Sequence, residues 1–230
     1  MMRPETTSVI IPVHNGERFV LEAVHSVLGQ LDADDEVLVV DDGSTDGTQE
    51  ALHQCDSRLR ILPGRGTGPS AARNLGLLRA GGELIAFLDH DDRWPAGRHA
   101  ALREILGGQP DVDAAAGRIH VAVEPGGSLG IGGTFHGKHG PSLPWSCLFR
   151  RSLIDRAGFF DEGLRYGEDT DYYVRLLEAG MRIGYSDAYS LIYRRHAGNA
   201  TNTSPLHGAI ALQLVRRKMD RLAGKSFADP

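Results

Sequence analysis

Short apolar runs alternate with helical periodicities through the first half of the chain, and their order predicts a layered architecture. Ser8-Val-Ile-Ile-Pro-Val13 is an unbroken apolar run of the kind a strand buried on both faces requires, closed by a turn at Asn15-Gly16. Val20, Ala23, Val24, Val27 and Leu28 then recur at helical spacing, and Gly29 predicts the stop. Val37 to Val40 repeats the buried-strand pattern and runs into Asp41-Asp42-Gly43-Ser44, followed by a helical stretch to about Gln54. Arg60 to Leu62 is a weaker strand, Pro63 to Pro69 a glycine- and proline-rich loop, and Ser70 to Ala80 a helix. Leu84 to Leu88 is another buried strand, ending in Asp89-His90-Asp91-Asp92, with a helix from about Gly97 to Leu106.

This β-α-β-α-β-α-β-α order predicts an α/β fold: a mostly parallel central sheet flanked by helices. Ligands bind such sheets beyond the carboxyl ends of the strands, and both acidic clusters fall there. Beyond Pro110 the rhythm changes to a β-like segment from Ala114 to Val123, a glycine-rich stretch from Gly126 to Gly140 read as a loop near a site, and Trp145 to Phe149. A helix over Asp169 to Ala179 and two short strands or one bent strand over Arg182 to Arg194 follow. The expected organisation is residues 1–110 as a nucleotide-binding half, 111–199 as a smaller mixed acceptor-binding half of the same domain, and 200–230 as a helical tail.

Composition narrows the class. With 41% hydrophobic and 24% charged residues, the 230-residue chain has the balance of an ordinary globular protein. A formal net charge of −5 argues against nucleic-acid binding. The basic residues Arg216, Arg217, Lys218 and Arg221 cluster on a helical pattern whose apolar members are Leu206, Ile210, Leu214 and Leu222. That pattern suits a solvated face or, alternatively, peripheral contact with anionic lipid. Cys55 and Cys147 lie far apart, fit no disulfide framework and are read as small core residues. No signal-like segment or long apolar run stands out, so a cytoplasmic protein is expected, with the inner face of the membrane as the alternative place.

The candidate chemistry is acidic. Asp89 and Asp91, two apart at a strand end, place two carboxylates on one side of an extended chain, where like charges about 4 Å apart cost on the order of 1 kcal/mol in water and about 4 at intermediate dielectric. A divalent cation reverses that sign, and oxygen-only ligands favour Mg²⁺ or Mn²⁺. A helix N-cap is the plainer explanation for Asp91 and Asp92. Asp42 could accept an N–H from a pyrimidine base, although Asp, Gly and Ser are also what a strand-to-helix turn needs. Arg73, one turn into a helix that follows a glycine-rich loop, could face an anion or be a surface residue. Glu168, Asp169 and Asp171 suit a helix N-terminus without any function, yet Asp169 pointing into a cleft could take a proton from a hydroxyl. His196 is a metal-ligand or diphosphate candidate beside its more common structural role. Trp145, Arg165 and Tyr166 are candidates for acceptor contact, with a core tryptophan as the alternative.

In order along the chain, Ser8–Asn15, Val39–Thr48, Gly68–Gly76, Phe87–Asp92, Gly158–Glu162 and Gly167–Asp171 resemble the motifs of family 2 glycosyltransferases with the GT-A fold. The resemblance runs from Ser8 to about Asn199. It implies an inverting transfer from a nucleotide diphosphate sugar, a UDP-sugar first, to a hydroxyl of a glycan, a lipid-linked sugar or a small molecule. It implies that Pro12, Val13 and Asn15 floor the nucleotide pocket, that Asp42 contacts the base, and that Arg73 lies by the donor. Asp89 and Asp91 match its D-x-D element, with Asp91 the more direct metal ligand and Asp89 nearer the ribose or a metal-bound water. His90 stands where a small residue is common, and would add a ribose contact or crowd the pocket. Asp169 matches the general base, Glu168 a residue that orients the acceptor or supports Asp169, and His196 a histidine near metal and diphosphate. A homodimer is compatible with this reading. The rivals are a sugar nucleotidyltransferase, disfavoured because Pro12 to Gly16 lacks a glycine- and arginine-rich triphosphate loop, and a binding module without catalysis.

Overall fold

The computed structural model describes residues 5–56, 58–127, 144–164, 166–199 and 207–222. Arg165 and all but the first two residues of the 126–140 stretch therefore lie outside the described residues, as do Leu206 and the side chain of Ile210.

The first half follows the pattern read from the apolar runs. β1 (Thr7–Val13), β2 (Glu36–Asp41), β3 (Leu59–Pro63) and β4 (Leu84–Phe87) alternate with α1 (Val20–Leu28), α2 (Thr48–His53), α3 (Pro69–Arg79) and α4 (Arg98–Gly108). β2 pairs in parallel with β1 and β3, and β1 with β4. Every residue of β1 is buried, which is why its run carries no polar alternation. Each fully buried Val, Ile or Leu there contributes about 1.5–3 kcal/mol.

β5 (Ala114–Val123), β6 (Cys147–Arg150) and β7 (Ile183–Arg195) extend this sheet to seven strands in the order β3-β2-β1-β4-β6-β5-β7. β6, entered through a single 3₁₀ turn over Pro144–Ser146, runs antiparallel to both β4 and β5. β7 is one strand, bent where its pairing with β5 shifts register around Arg118. α5 (Arg151–Ala157) and α6 (Glu168–Glu178) pack on each other, and α7 (His207–Leu222) follows β7.

Close packing of α3 on β1 rests on Gly76, where an added Cβ would collide with the side chain of Ile10, itself fully buried. Gly76→Ala should gain about 1 kcal/mol of helix propensity but lose about 1–3 kcal/mol to overpacking. A lower urea midpoint is therefore expected, and a raised one would show that β1 and α3 can part without cost.

Candidate functional site

The carboxyl ends of β1, β2 and β4 open on one side of the sheet. Asp41 ends β2 and Asp42 follows it, but neither carboxylate is idle. Asp41 accepts the Ser44 N–H at 3.0 Å and the Gln49 amide at 2.6 Å. Burial raises its pKa, but these hydrogen bonds outweigh it and hold the group below the ordinary carboxylate range. Asp42, 5% exposed, accepts backbone N–H groups from Gly66 at 2.8 Å and Arg65 at 3.2 Å on Oδ1, and from Gly68 at 2.7 Å on Oδ2. It thereby folds the 64–68 loop over the end of β2. Gly43 enters that turn at φ +81, in the left-handed region.

Beyond β1, Asn15 adopts φ 53 and ties the first turn to the second. Its N–H donates to Ser44 Oγ at 2.9 Å, and its Oδ1 accepts the Thr45 N–H at 2.8 Å. His90 closes over this turn: a Cβ on Gly16 would stand 2.7 Å from the His90 ring and 2.5 Å from Val13. Val13 and His90 therefore meet over Gly16, and His14 links this turn to Asp42, its Nδ1 lying 3.1 Å from Asp42 O.

The N-cap explanation for Asp91 and Asp92 does not hold, because α4 begins at Arg98 with Gly97 as its cap. Arg73 draws the two halves together instead. Its guanidinium, with a side chain only 4% exposed, donates to Asp89 Oδ1 at 2.7 Å and to Glu168 Oε1 at 3.3 Å. Burial lowers the Arg73 pKa, and Asp89 and Glu168 more than offset it, so that the net shift is upward. Burial holds both partner carboxyls above their usual range despite Arg73, with Asp91 adding to the rise at Asp89 and Asp169 at Glu168. A surface role for Arg73 is therefore excluded.

The acids at the start of α6 separate by environment. Glu168 faces Arg73. Asp171, 1% exposed, pairs with Arg175 at 2.8 Å and Arg221 at 2.7 Å and is structural. Asp169 is half-buried; its Oδ1 accepts the Thr170 N–H at 2.7 Å, and its Oδ2 has no partner among the described residues. It lies near enough to Arg73 to favour that cation's charge. The acids at the end of β4 and the start of α6 therefore meet at Arg73.

Asp91 is held from the segment just after β7. His196 Nε2 lies 3.0 Å from Asp91 Oδ2, and the Asn199 amide donates to the same oxygen at 3.2 Å. Asp92, 1% exposed, accepts the Arg194 N–H at 2.8 Å on Oδ1 and has no partner for Oδ2 among the described residues. Burial pushes its pKa well up, and Asp91 and Asp89 push it further.

A model of glycosyl transferase family 2 matches residues 8–129, just over half of the 230-residue chain. The chain belongs to glycosyl transferase family 2. A family relative, the pre-mycofactocin glycosyltransferase of Mycobacterium tuberculosis, is 30% identical over 239 residues, covering 94% of this chain and 49% of its own length. The chain spans as little as 14% of other curated relatives it matches. Among solved structures, S. aureus TarS 1–349 in complex with UDP-GlcNAc superimposes with a TM-score of 0.74 at 22% identity, over 92% of this chain and 64% of that one. A mannosyltransferase from Pyrobaculum calidifontis in complex with GDP-Man and Mn²⁺ gives 0.62 at 24% identity, over 83% and 57%. These likenesses establish the GT-A fold for this family member.

Other expected positions fall as follows. Trp145 is 4% exposed, with the Arg73 guanidinium 4.0 Å above its ring and Phe87 edge-on at 6.3 Å. Its ring is a platform for Arg73, and that face is closed to an acceptor. Tyr166 is half-buried beside Gly167, which caps α6 at φ 76. Cys147 is buried and Cys55 half-buried, and no disulfide joins them. The basic cluster is mostly spent within the molecule: Arg217 pairs with Asp161, Lys218 with Glu178 and Arg221 with Asp171. Leu222 lies not with the packed side of α7 but outward, beside Val215 and Met219. Among the described residues no helix is long and apolar enough to cross a membrane.

The family member also uses residues the motifs did not single out. Asn74 clamps the Gly158–Glu162 motif, its amide accepting the Phe160 N–H at 2.8 Å and donating to Phe160 O at 3.0 Å. Asn199 carries no local signal, because its partner Asp91 lies 108 positions away.

Proposed function

We propose that this chain transfers a glycosyl group from a nucleoside diphosphate sugar, a UDP-sugar first, to an acceptor hydroxyl with inversion, assisted by Mn²⁺ or Mg²⁺. The observation that carries this reading is the Arg73 guanidinium held between Asp89 and Glu168, which joins the end of β4 to the start of α6. An acidic strand end suited to a diphosphate-bound cation then faces a carboxylate suited to an acceptor.

The side chains fit a hard cation in kind, since Asp89 and Asp91 offer oxygens and each keeps one with no partner among the described residues. No group of three or more ligating side chains is assembled among the described residues. Two carboxylates plus phosphate oxygens is the usual way such a cation is held in nucleotide sites. When bound, it would neutralise charge developing on the departing diphosphate. The donor base would rest against the 64–68 loop, with Asp42 Oδ2 accepting a pyrimidine N–H beside that of Gly68. Arg73 would keep Asp89 and Glu168 oriented. The acceptor oxygen attacks the anomeric carbon as the sugar–phosphate bond breaks, and Asp169 takes the hydroxyl proton. One displacement inverts the anomeric carbon, unlike the paired-acid retaining hydrolases.

A cytoplasmic location with at most peripheral membrane contact, and a homodimer, belong to the same proposal. Because the two sugar-nucleotide neighbours carry different bases, a panel of UDP-, GDP- and dTDP-sugars with Mn²⁺ is the test. A true donor at about 100 times its Kd should add about 2.7 kcal/mol of stability, read as a raised Tm. A panel that leaves Tm unmoved would contradict the reading. Binding of a donor without turnover on any acceptor would favour the binding-module alternative.

A further inference from the structure

Phe19, 7% exposed, follows the turn after β1 and collects basic groups around its ring. The Arg18 guanidinium lies 4.6 Å from the ring centroid, the Arg194 guanidinium 4.5 Å, and the His196 ring 4.7 Å. Because His196 Nε2 is 3.0 Å from Asp91 Oδ2, the cluster adjoins the acidic end of β4, where the proposed function puts the donor diphosphate.

These groups are not equally available. Arg194, with a side chain 6% exposed, is committed to Glu22 at 2.5 Å and Glu124 at 3.7 Å. The same Glu22 carboxylate holds Arg93 at 2.7 Å, so it fastens α1 to the segment after β4 and to the end of β7. Arg73 is likewise committed, to Asp89 and Glu168. Arg18 is exposed and has no acid partner among the described residues. A ring attracts a guanidinium least where water reaches the contact, so Arg18 can exchange Phe19 for a phosphate readily.

The reaction needs such a charge. As the sugar leaves, the diphosphate gains a negative charge, and a donor aimed at its oxygens stabilises the transition state. A guanidinium meets two phosphate oxygens with two N–H groups at once. We infer that Arg18 is a donor-binding residue whose guanidinium grips the diphosphate of the sugar nucleotide. Phe19 restricts the directions the side chain samples before binding, which lowers the cost of ordering it. The inference rests on the nucleotide donor of the proposed function, and its test separates the two.

UDP, GDP and dTDP are titrated into the full chain with Mn²⁺ by calorimetry, and the tightest is taken on with its free nucleoside, measured by competition. Arg18→Met keeps a long aliphatic side chain against Phe19 and removes only the charge. It should weaken the diphosphate by about 10–100-fold, the usual range for a hydrogen bond to a charged group, and leave the nucleoside within about twofold. Arg18→Lys, which keeps the charge without the fork, should recover part of the loss. Unchanged diphosphate affinity in Arg18→Met overturns the contact, and so does an equal loss for diphosphate and nucleoside, which would mean a disturbed base pocket. An unsubstituted chain that binds none of the three nucleotides would instead overturn the donor, and the contact with it.

Discussion

Asp169→Asn should lower kcat by about 10²–10⁴-fold and leave the Kd for the donor near that of the parent. The carboxylate sits in the first turn of α6, where its Oδ1 accepts the Thr170 N–H and hydroxyl and its Oδ2 is uncommitted among the described residues. Asparagine keeps the shape and the oxygen that takes the Thr170 N–H, so α6 stays in place. It lacks only the capacity to remove a proton. Single-turnover kinetics with a saturating donor, alongside equilibrium binding of that donor, separates the two effects. Unchanged turnover would remove Asp169 from the chemistry. A loss of donor affinity as large as the loss of turnover would show that the substitution acts through the nucleotide pocket instead.

Arg73→Met should be the most destabilising substitution in the site, because it leaves Asp89 and Glu168 facing each other without their shared cation. Removing one member of a buried ion pair costs about 3–5 kcal/mol, and the lower end is expected here because the Asp89 side chain is 26% exposed. The loss has a sign in pH. Burial already raises the pKa of both acids in the folded state, and without Arg73 it rises further. A carboxyl whose folded pKa is raised stabilises the fold below its unfolded value, and that contribution is lost as pH rises through the folded value. The variant's deficit should therefore be larger at pH 7 than at pH 5, as read from urea unfolding at both. An equal deficit would mean that lost stacking on Trp145, and not charge, accounts for the cost.

Much of this site was legible in the chain because its parts are local. Buried strands in the first half announce themselves as unbroken apolar runs, and strand ends carry Asp42, Asp89 and Asp91 by position alone. The reading of β7 as one bent strand was within reach for the same reason, and the bend follows from a register shift opposite Arg118. What pairs with what was not legible. Nothing local marks the antiparallel placement of β6 between β4 and β5, since a four-residue strand with three apolar members packs equally well in either direction. For Arg73 an anion contact and a surface position stay equally open in the sequence, because its partners lie 16 and 95 positions away. Trp145 carried no sign of which group would cover its face. The basic residues of α7 read as one solvated cluster, and only the packed structure matches three of them to Asp161, Asp171 and Glu178.

The central claim is that carboxylates from β4 and α6 face one cation-bound diphosphate and its sugar. Crystals grown with Mn²⁺ and a UDP-sugar analogue that resists transfer, measured at the manganese absorption edge, test it most directly. The account predicts a single strong anomalous peak against the free oxygens of Asp89 and Asp91, with the sugar lying between that peak and Asp169. A peak elsewhere on the molecule, or a sugar whose anomeric carbon lies out of reach of any hydroxyl that Asp169 could deprotonate, would contradict it.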